Sequence, residues 1–272
     1  MPLSLKTVPA NRGPRWVGDA FRLFARRPLA FTALFALFLL AAFVLSLLPF
    51  LGGLLQMMMV PLLSLGFMVA GQSALLGGPV KPGQFIEPLQ GDPQRRRALL
   101  TLCVVYGVSA VAILLLCDLV SNDALERLQV LLAQGPAAQK EVDALLSEPG
   151  VATAMLLGVG LGIALTIPFW HAPALVHWGG QGAGQALFSS ALAVWRSKGA
   201  FVLYFVTWFG LAAGFAITAS LVLGLLGLGG VANAVALPVG LLVSTVYYVS
   251  VLFTFNDSFG NAAPPDNATE PA

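Results

Sequence analysis

Charge is what this 272-residue sequence has least of: only 10% of its residues are Asp, Glu, Lys or Arg. A soluble domain carries about 25%, so water is a poor solvent for most of this surface. The net charge of +2 is too small to suggest nucleic-acid binding. Cysteine is nearly absent too. Cys103 and Cys117 stand fourteen positions apart, about 21 Å along a helix, which excludes a disulfide between them and leaves them as small buried apolar residues. Enzyme signatures are missing: there is no HExxH, no GxSxG and no carboxylate pair inside an apolar run. The reading is therefore not an enzyme, with no catalytic residue, cofactor or metal assigned.

What is present is long uncharged sequence. No Asp, Glu, Lys or Arg falls between Arg27 and Lys81, Arg97 and Asp118, Glu148 and Arg196, or Lys198 and Asp257, gaps of 53, 20, 47 and 58 residues. One helical crossing of a membrane needs about 20 apolar residues, so the gaps predict two, one, one and two crossings. Backbone groups in lipid must be satisfied within a helix or a closed barrel. Continuous runs such as 31–48 (FTALFALFLLAAFVLSLL) lack the alternation of barrel strands. The first run is too long for the core of a cleaved signal peptide, and a second follows at once. The predicted class is all-α, a polytopic bundle of six transmembrane helices and two interfacial amphipathic helices.

The spans are expected at about 29–49, 54–76, 98–117, 151–176, 200–222 and 233–255, within one transmembrane domain, 1–256. Residues 1–14, with Pro2, Pro9, Gly13 and Pro14, read as a loose arm. Residues 15–27 form an amphipathic helix. Trp16, Val17, Ala20, Phe21 and Phe24 lie on one face and Arg15, Asp19, Arg22 and Arg26 largely on the other, placing the aromatics at the acyl boundary. A second such helix is expected at about 183–197. The polar loop 118–150 should hold two short helices, about 123–134 and 137–147. The first starts at an Asp123/Glu126 capping box and stops at Gly135-Pro136. The tail 257–272, with Pro264, Pro265 and Pro271, reads as disordered and cytoplasmic.

Twelve of the 14 basic residues fall on one side of this topology, against Arg127 and Lys140 on the other. The positive-inside rule then puts both termini in the cytoplasm of a bacterial inner membrane.

A shift of 171 positions aligns the two amphipathic helices without a gap. Trp16, Val17, Ala20, Phe21 and Phe24 meet Leu187, Phe188, Ala191, Leu192 and Trp195, while Gly13 meets Gly184 and Arg27 meets Lys198. Each is followed by a hairpin with a proline early in its second helix, Pro61 and Pro238. This predicts an internal parallel repeat, units about 15–76 and 184–255, related by a pseudo-two-fold along the membrane normal.

The stretch 168–201, PFWHAPALVHWGGQGAGQALFSSALAVWRSKGAF, with RWVGDAFRLFARRPLAF and LFTFNDSFG near the ends, resembles a family of uncharacterised proteobacterial inner-membrane proteins. More loosely, an apolar helix followed by Gly, Ala, Ser and a basic residue is similar to the membrane domain fused to some glycerophosphodiester phosphodiesterases. The resemblance implies a fold and a location and no established activity.

The densest polar-aromatic cluster is Trp170, His171, His177, Trp178 and Gln181, with Arg196 and Lys198 following. Intramembrane ionisable groups are functional candidates. The cluster admits headgroup-depth anchoring or packing first, contact with a ligand or lipid headgroup second, and a metal or proton relay third. Six residues of helix turn the two imidazoles about 240° apart. The 171–181 segment is expected to line a cavity open to the cytoplasm or the inner headgroups and to contact the interface between the repeats. Gln56 and Gln72 are expected to hydrogen-bond between helices, and Gly158, Gly162, Gly210 and Gly214 to form small-residue helix-packing faces. The leading functional reading is a non-catalytic protein that organises lipid or a membrane partner, which could be another membrane protein or a second copy, with no nucleic acid. A small-solute transporter or channel comes next, and a membrane-embedded enzyme third.

Overall fold

The structure is a computed structural model that describes residues 3–49, 51–134, 138–225 and 232–260. Eleven α-helices and no strand occur among them. Helix α1 (Arg12–Arg26) crosses the basic end. Helices α2 (Pro28–Ser46) and α3 (Gly52–Leu75) form the first hairpin. Two 3-10 turns (Pro82–Phe85, Glu87–Leu89) lead to α4 (Pro93–Ser121). The acidic loop holds α5 (Ala124–Ala133) and α6 (Gln139–Leu146). Helix α7 (Pro149–Phe169) returns to the basic end and continues, after a break, as α8 (Ala172–Gly179). There α9 (Ala183–Arg196) follows, and α10 (Lys198–Leu225) and α11 (Ala232–Phe259) make the last hairpin. Six segments are long and apolar enough to cross a membrane, and the chain is an all-α polytopic bundle.

Local chemistry fixes the helix starts. Pro28, Pro93 and Pro149 each sit at a first helical position, where φ is already set and no N–H is needed. Asp92 caps α4 by accepting from the Gln94 amide, which carries span three five residues beyond its expected start. The Asp123/Glu126 pair does not form the expected cap. Asn122 and Asp123 both take positive φ, and the left-handed turn aims the Asp123 side chain away from the amides it would have met. The Leu125 amide reaches Ser121 Oγ instead. The Gly135-Pro136 stop lies outside the described residues.

The core lies at the basic end. Trp16, Phe31, Phe67, Leu175, Tyr204, Leu252 and Phe255 are fully buried there, while Leu119, Leu156, Phe209, Leu221 and Leu225, farther along the spans, are strongly exposed. In lipid such exposure carries no penalty, so apolar burial need not fill the whole bundle.

Three expectations need correction. The N-terminal arm is not loose. The Lys6 amide donates to the Ser258 carbonyl at 2.8 Å, the Val8 amide to Ser197 Oγ at 3.1 Å, and Val8 is buried. Residues 257–259, assigned to the tail, are the last turn of α11, held by that arm; residues 261–272 lie outside the described residues. The expected pseudo-two-fold does not extend to the packing of the amphipathic helices. Among the described residues α1 packs on α10 and α11, whereas α9 packs chiefly on α7 and α8.

Candidate functional site

The predicted cluster is built around the break in span four. Pro168 and Pro173 each remove a backbone donor and crowd the preceding turn, and the helix opens at Trp170 and His171. Ser190 of α9 repairs the opening. Its Oγ accepts from the His171 amide at 2.9 Å and donates to the Ile167 carbonyl at 3.2 Å. A hydroxyl satisfying freed backbone groups is how broken helices persist in an apolar setting.

Thr254 of α11 is the second fastener. It meets the indole Nε1 of Trp170 and the Nε2 of His171, each at 3.0 Å. His171 is 0% exposed, ringed edge-on by Phe201, Phe255 and Phe259. It therefore does not line a cavity open at the basic end, contrary to expectation. The apolar face of α8, Ala172 to Val176, is itself buried, which draws the break into the protein. Its Nδ1 has no partner among the described residues. His177, Trp178 and Gln181 lie apart from it, around the end of α8. Trp178 packs at a tilt against Phe255, ring centroids 5.1 Å apart. The His177 carbonyl accepts from Arg95 Nη1 at 3.1 Å, a cation at a helix C-terminus. Gly180 closes α8 with φ of 63°.

A second node joins the two ends of the chain. Asp257 Oδ2 accepts from Arg12 Nε at 2.6 Å and from Trp16 Nε1 at 2.7 Å. The hydrogen bond from Arg12 to Asp257 raises the guanidinium pKa above its ordinary value. Trp16 is 0% exposed, its ring 5.3 Å from that of Phe201. The α1 aromatic expected at the acyl boundary is thus inside the protein, because an indole N–H beside a carboxylate is better satisfied there than in lipid. The sequence places Asp257 at the start of the tail and carries no sign of its partners, 241 and 245 positions away. Thr254 was legible in principle: Ser250, Thr254 and Ser258 recur every fourth residue, one face of a helix, and all three are fully buried.

Helix α9 behaves differently. It buries Ala186, Ser190 and Ala193 and leaves Phe188 69% and Trp195 71% exposed. Arg196 and Lys198 are exposed beside them, with Lys198 Nζ 5.3 Å from the Trp195 ring centroid, within cation–π range.

Of the proposed small-residue faces, Gly158 is at a contact: a Cβ there would lie 3.1 Å from Cys117 Sγ of α4. Around Gly162, Gly210 and Gly214 a Cβ would meet no described atom within 4 Å, so these make no close helix contact among the described residues. Gly210 and Gly214 are exposed and are not among the residues that α10 turns toward α11. Between those two helices runs a groove of about 600 Å³, with small residues Ala212, Ala216, Ala219 and Gly240 along it and Phe21 and Trp208 at one end. Gln56 donates to the Ala42 carbonyl at 2.8 Å across the first hairpin.

No family model matches the chain, and no solved structure matches it. A probable inner membrane protein of Burkholderia thailandensis is 33% identical to it over 263 residues, 96% of each chain.

Proposed function

From the premise that the chain belongs to the family of that probable inner membrane protein, and is itself a multi-pass inner-membrane protein, we propose that it is a non-catalytic protein that binds and organises phospholipid, its basic end in the cytoplasm. The observation that carries the reading is the groove between α10 and α11. Its wall from Trp208 to Leu223 spans sixteen residues, about 22 Å of helix. One leaflet of a bilayer is about 15 Å deep in hydrocarbon, so a single acyl chain fits along it. Small side chains let the chain lie close to both helices. At the Phe21 end, Arg22 and Arg26 of α1 are exposed, and each cation near a membrane surface attracts anionic lipid by about 1 kcal/mol. The exposed aromatics and cations of α9 add a second contact with the same surface. The looser likeness to the membrane domain of glycerophosphodiester phosphodiesterases accords with a lipid-facing role.

Native mass spectrometry of the protein released from membranes tests this. Wild type should retain one or more anionic phospholipids. Ala216→Trp and Gly240→Trp, both facing open space, should lose at least one bound lipid with the melting temperature unchanged. A dimer that dissociates on the same substitutions would show that a second copy fills the groove. Unaltered lipid stoichiometry in both variants would defeat the proposal. Reporter fusions after Ala137 and after Ala263 should report opposite sides, the latter cytoplasmic.

A further inference from the structure

Away from the lipid groove, a cavity of about 170 Å³ lies where α3, α4, α7 and α11 converge. Its lining includes Ser64, Tyr106, Trp170, Tyr247 and Tyr248, and it contains no Asp, Glu, Lys, Arg or His. Three of the contributing helices carry interior prolines, Pro61, Pro168 and Pro238. The hydroxyls of Ser64, Tyr106, Tyr247 and Tyr248 hydrogen-bond no other described residue, whereas Tyr204, just outside, is paired with Ser250 at 2.6 Å. These four residues are half-buried, and their hydroxyls border the open space rather than being sealed in the protein, so an occupant with hydrogen-bonding groups can reach several of them at once.

We propose that this cavity is a binding site for a small uncharged phenolic solute, a single aromatic ring bearing a hydroxyl. Three features select that chemistry. The absence of charge in the lining disfavours an ion, which would shed its hydration with nothing to replace it. The hydroxyls both donate and accept, matching a phenol on either side of its O–H. The rings supply flat apolar walls for edge or offset contact: Tyr106 meets Phe169 at 5.1 Å and Tyr247 meets Tyr248 at 5.6 Å. Size agrees, since an apolar cavity of about 150 Å³ accepts benzene, and this one leaves room for one further polar group. The site is independent of the lipid groove, so either can fail without the other.

The experiment is calorimetric titration of the full-length protein in nanodiscs with phenol, and with benzene as the isosteric probe without a hydroxyl. Phenol should bind saturably and at least fivefold more tightly than benzene, about one net hydrogen bond. Tyr248→Phe and Tyr247→Phe keep the ring and remove the hydroxyl; at least one should erase that preference while benzene affinity holds. Ser64→Phe, which fills the space, should abolish both. If Ser64→Phe does not fold, the two Tyr→Phe variants still decide. Absence of saturable phenol binding, or equal affinity for phenol and benzene in wild type, would overturn the proposal and leave the cavity to water.

Discussion

Helices α1 and α9 start from the same pattern and finish in different surroundings. Their apolar positions align one to one, yet α1 buries Val17 where α9 exposes the aligned Phe188, and Trp195 is exposed where the aligned Phe24 is half-buried. Gly13 makes the contrast sharp. A Cβ there would overlap the backbone carbonyl oxygen of Ala200 on α10, so α1 sits directly on its neighbour's main chain. At the aligned Gly184 a Cβ would meet nothing within 4 Å. An amphipathic period says that one face avoids water; it does not say whether protein or lipid covers that face. For α1 the choice is made by Asp257, which draws Arg12 and Trp16 against α11.

That contrast can be broken most severely at the glycines. Gly13→Leu should lift α1 from α10 and lose more than about 3 kcal/mol, at the upper end for overpacking, seen as failure to accumulate in membranes. Gly184→Leu should stay within about 0.5 kcal/mol by thermal melting in detergent. If the two substitutions behave alike, the packing difference is not real. The tryptophans should divide the same way. Trp16→Ala should cost about 3–5 kcal/mol, and Trp195→Ala less than about 0.5 kcal/mol. Asp257→Ala, which leaves Arg12 and the Trp16 indole without their acceptor, should cost about 1–3 kcal/mol. Asp257→Glu should recover little, because the longer side chain cannot keep both short hydrogen bonds. Ser190→Ala removes the repair at the span-four break and should cost about 1–2 kcal/mol, read as a lower melting temperature with lipid content intact.

The spans were readable because charge is excluded from them; the gaps alone gave their number and order. Their ends were readable only where a local signal operates, as at Asp92-Pro93. Where backbone geometry overruled spacing, at Asn122 and Asp123, the local signal misled. The polar cluster was legible as a cluster but not as an arrangement. His171 and Gln181 are ten residues apart, and only the tertiary packing of α8 separates a buried imidazole from an amide at the helix end. Asp257 with Arg12, and Thr254 with Trp170, are pairs set by long-range closure, and no pattern within a window of twenty residues carries them. The groove between α10 and α11 was invisible for a related reason: it arises where two helices touch only sparsely among the described residues, and a sequence records what packs more readily than what does not.

Helix α9 leaves Trp195 outside the protein while α1 buries Trp16, and fluorescence quenching by brominated phospholipid tests directly whether lipid covers the one and protein the other. Wild type reconstituted with brominated lipid should lose a large share of its tryptophan emission. Trp195→Phe should remove much of the quenchable fraction, while Trp16→Phe should leave it nearly unchanged. Quenching that depends on Trp16 as strongly as on Trp195 would mean that both helices meet lipid, and the distinction drawn between them would be wrong.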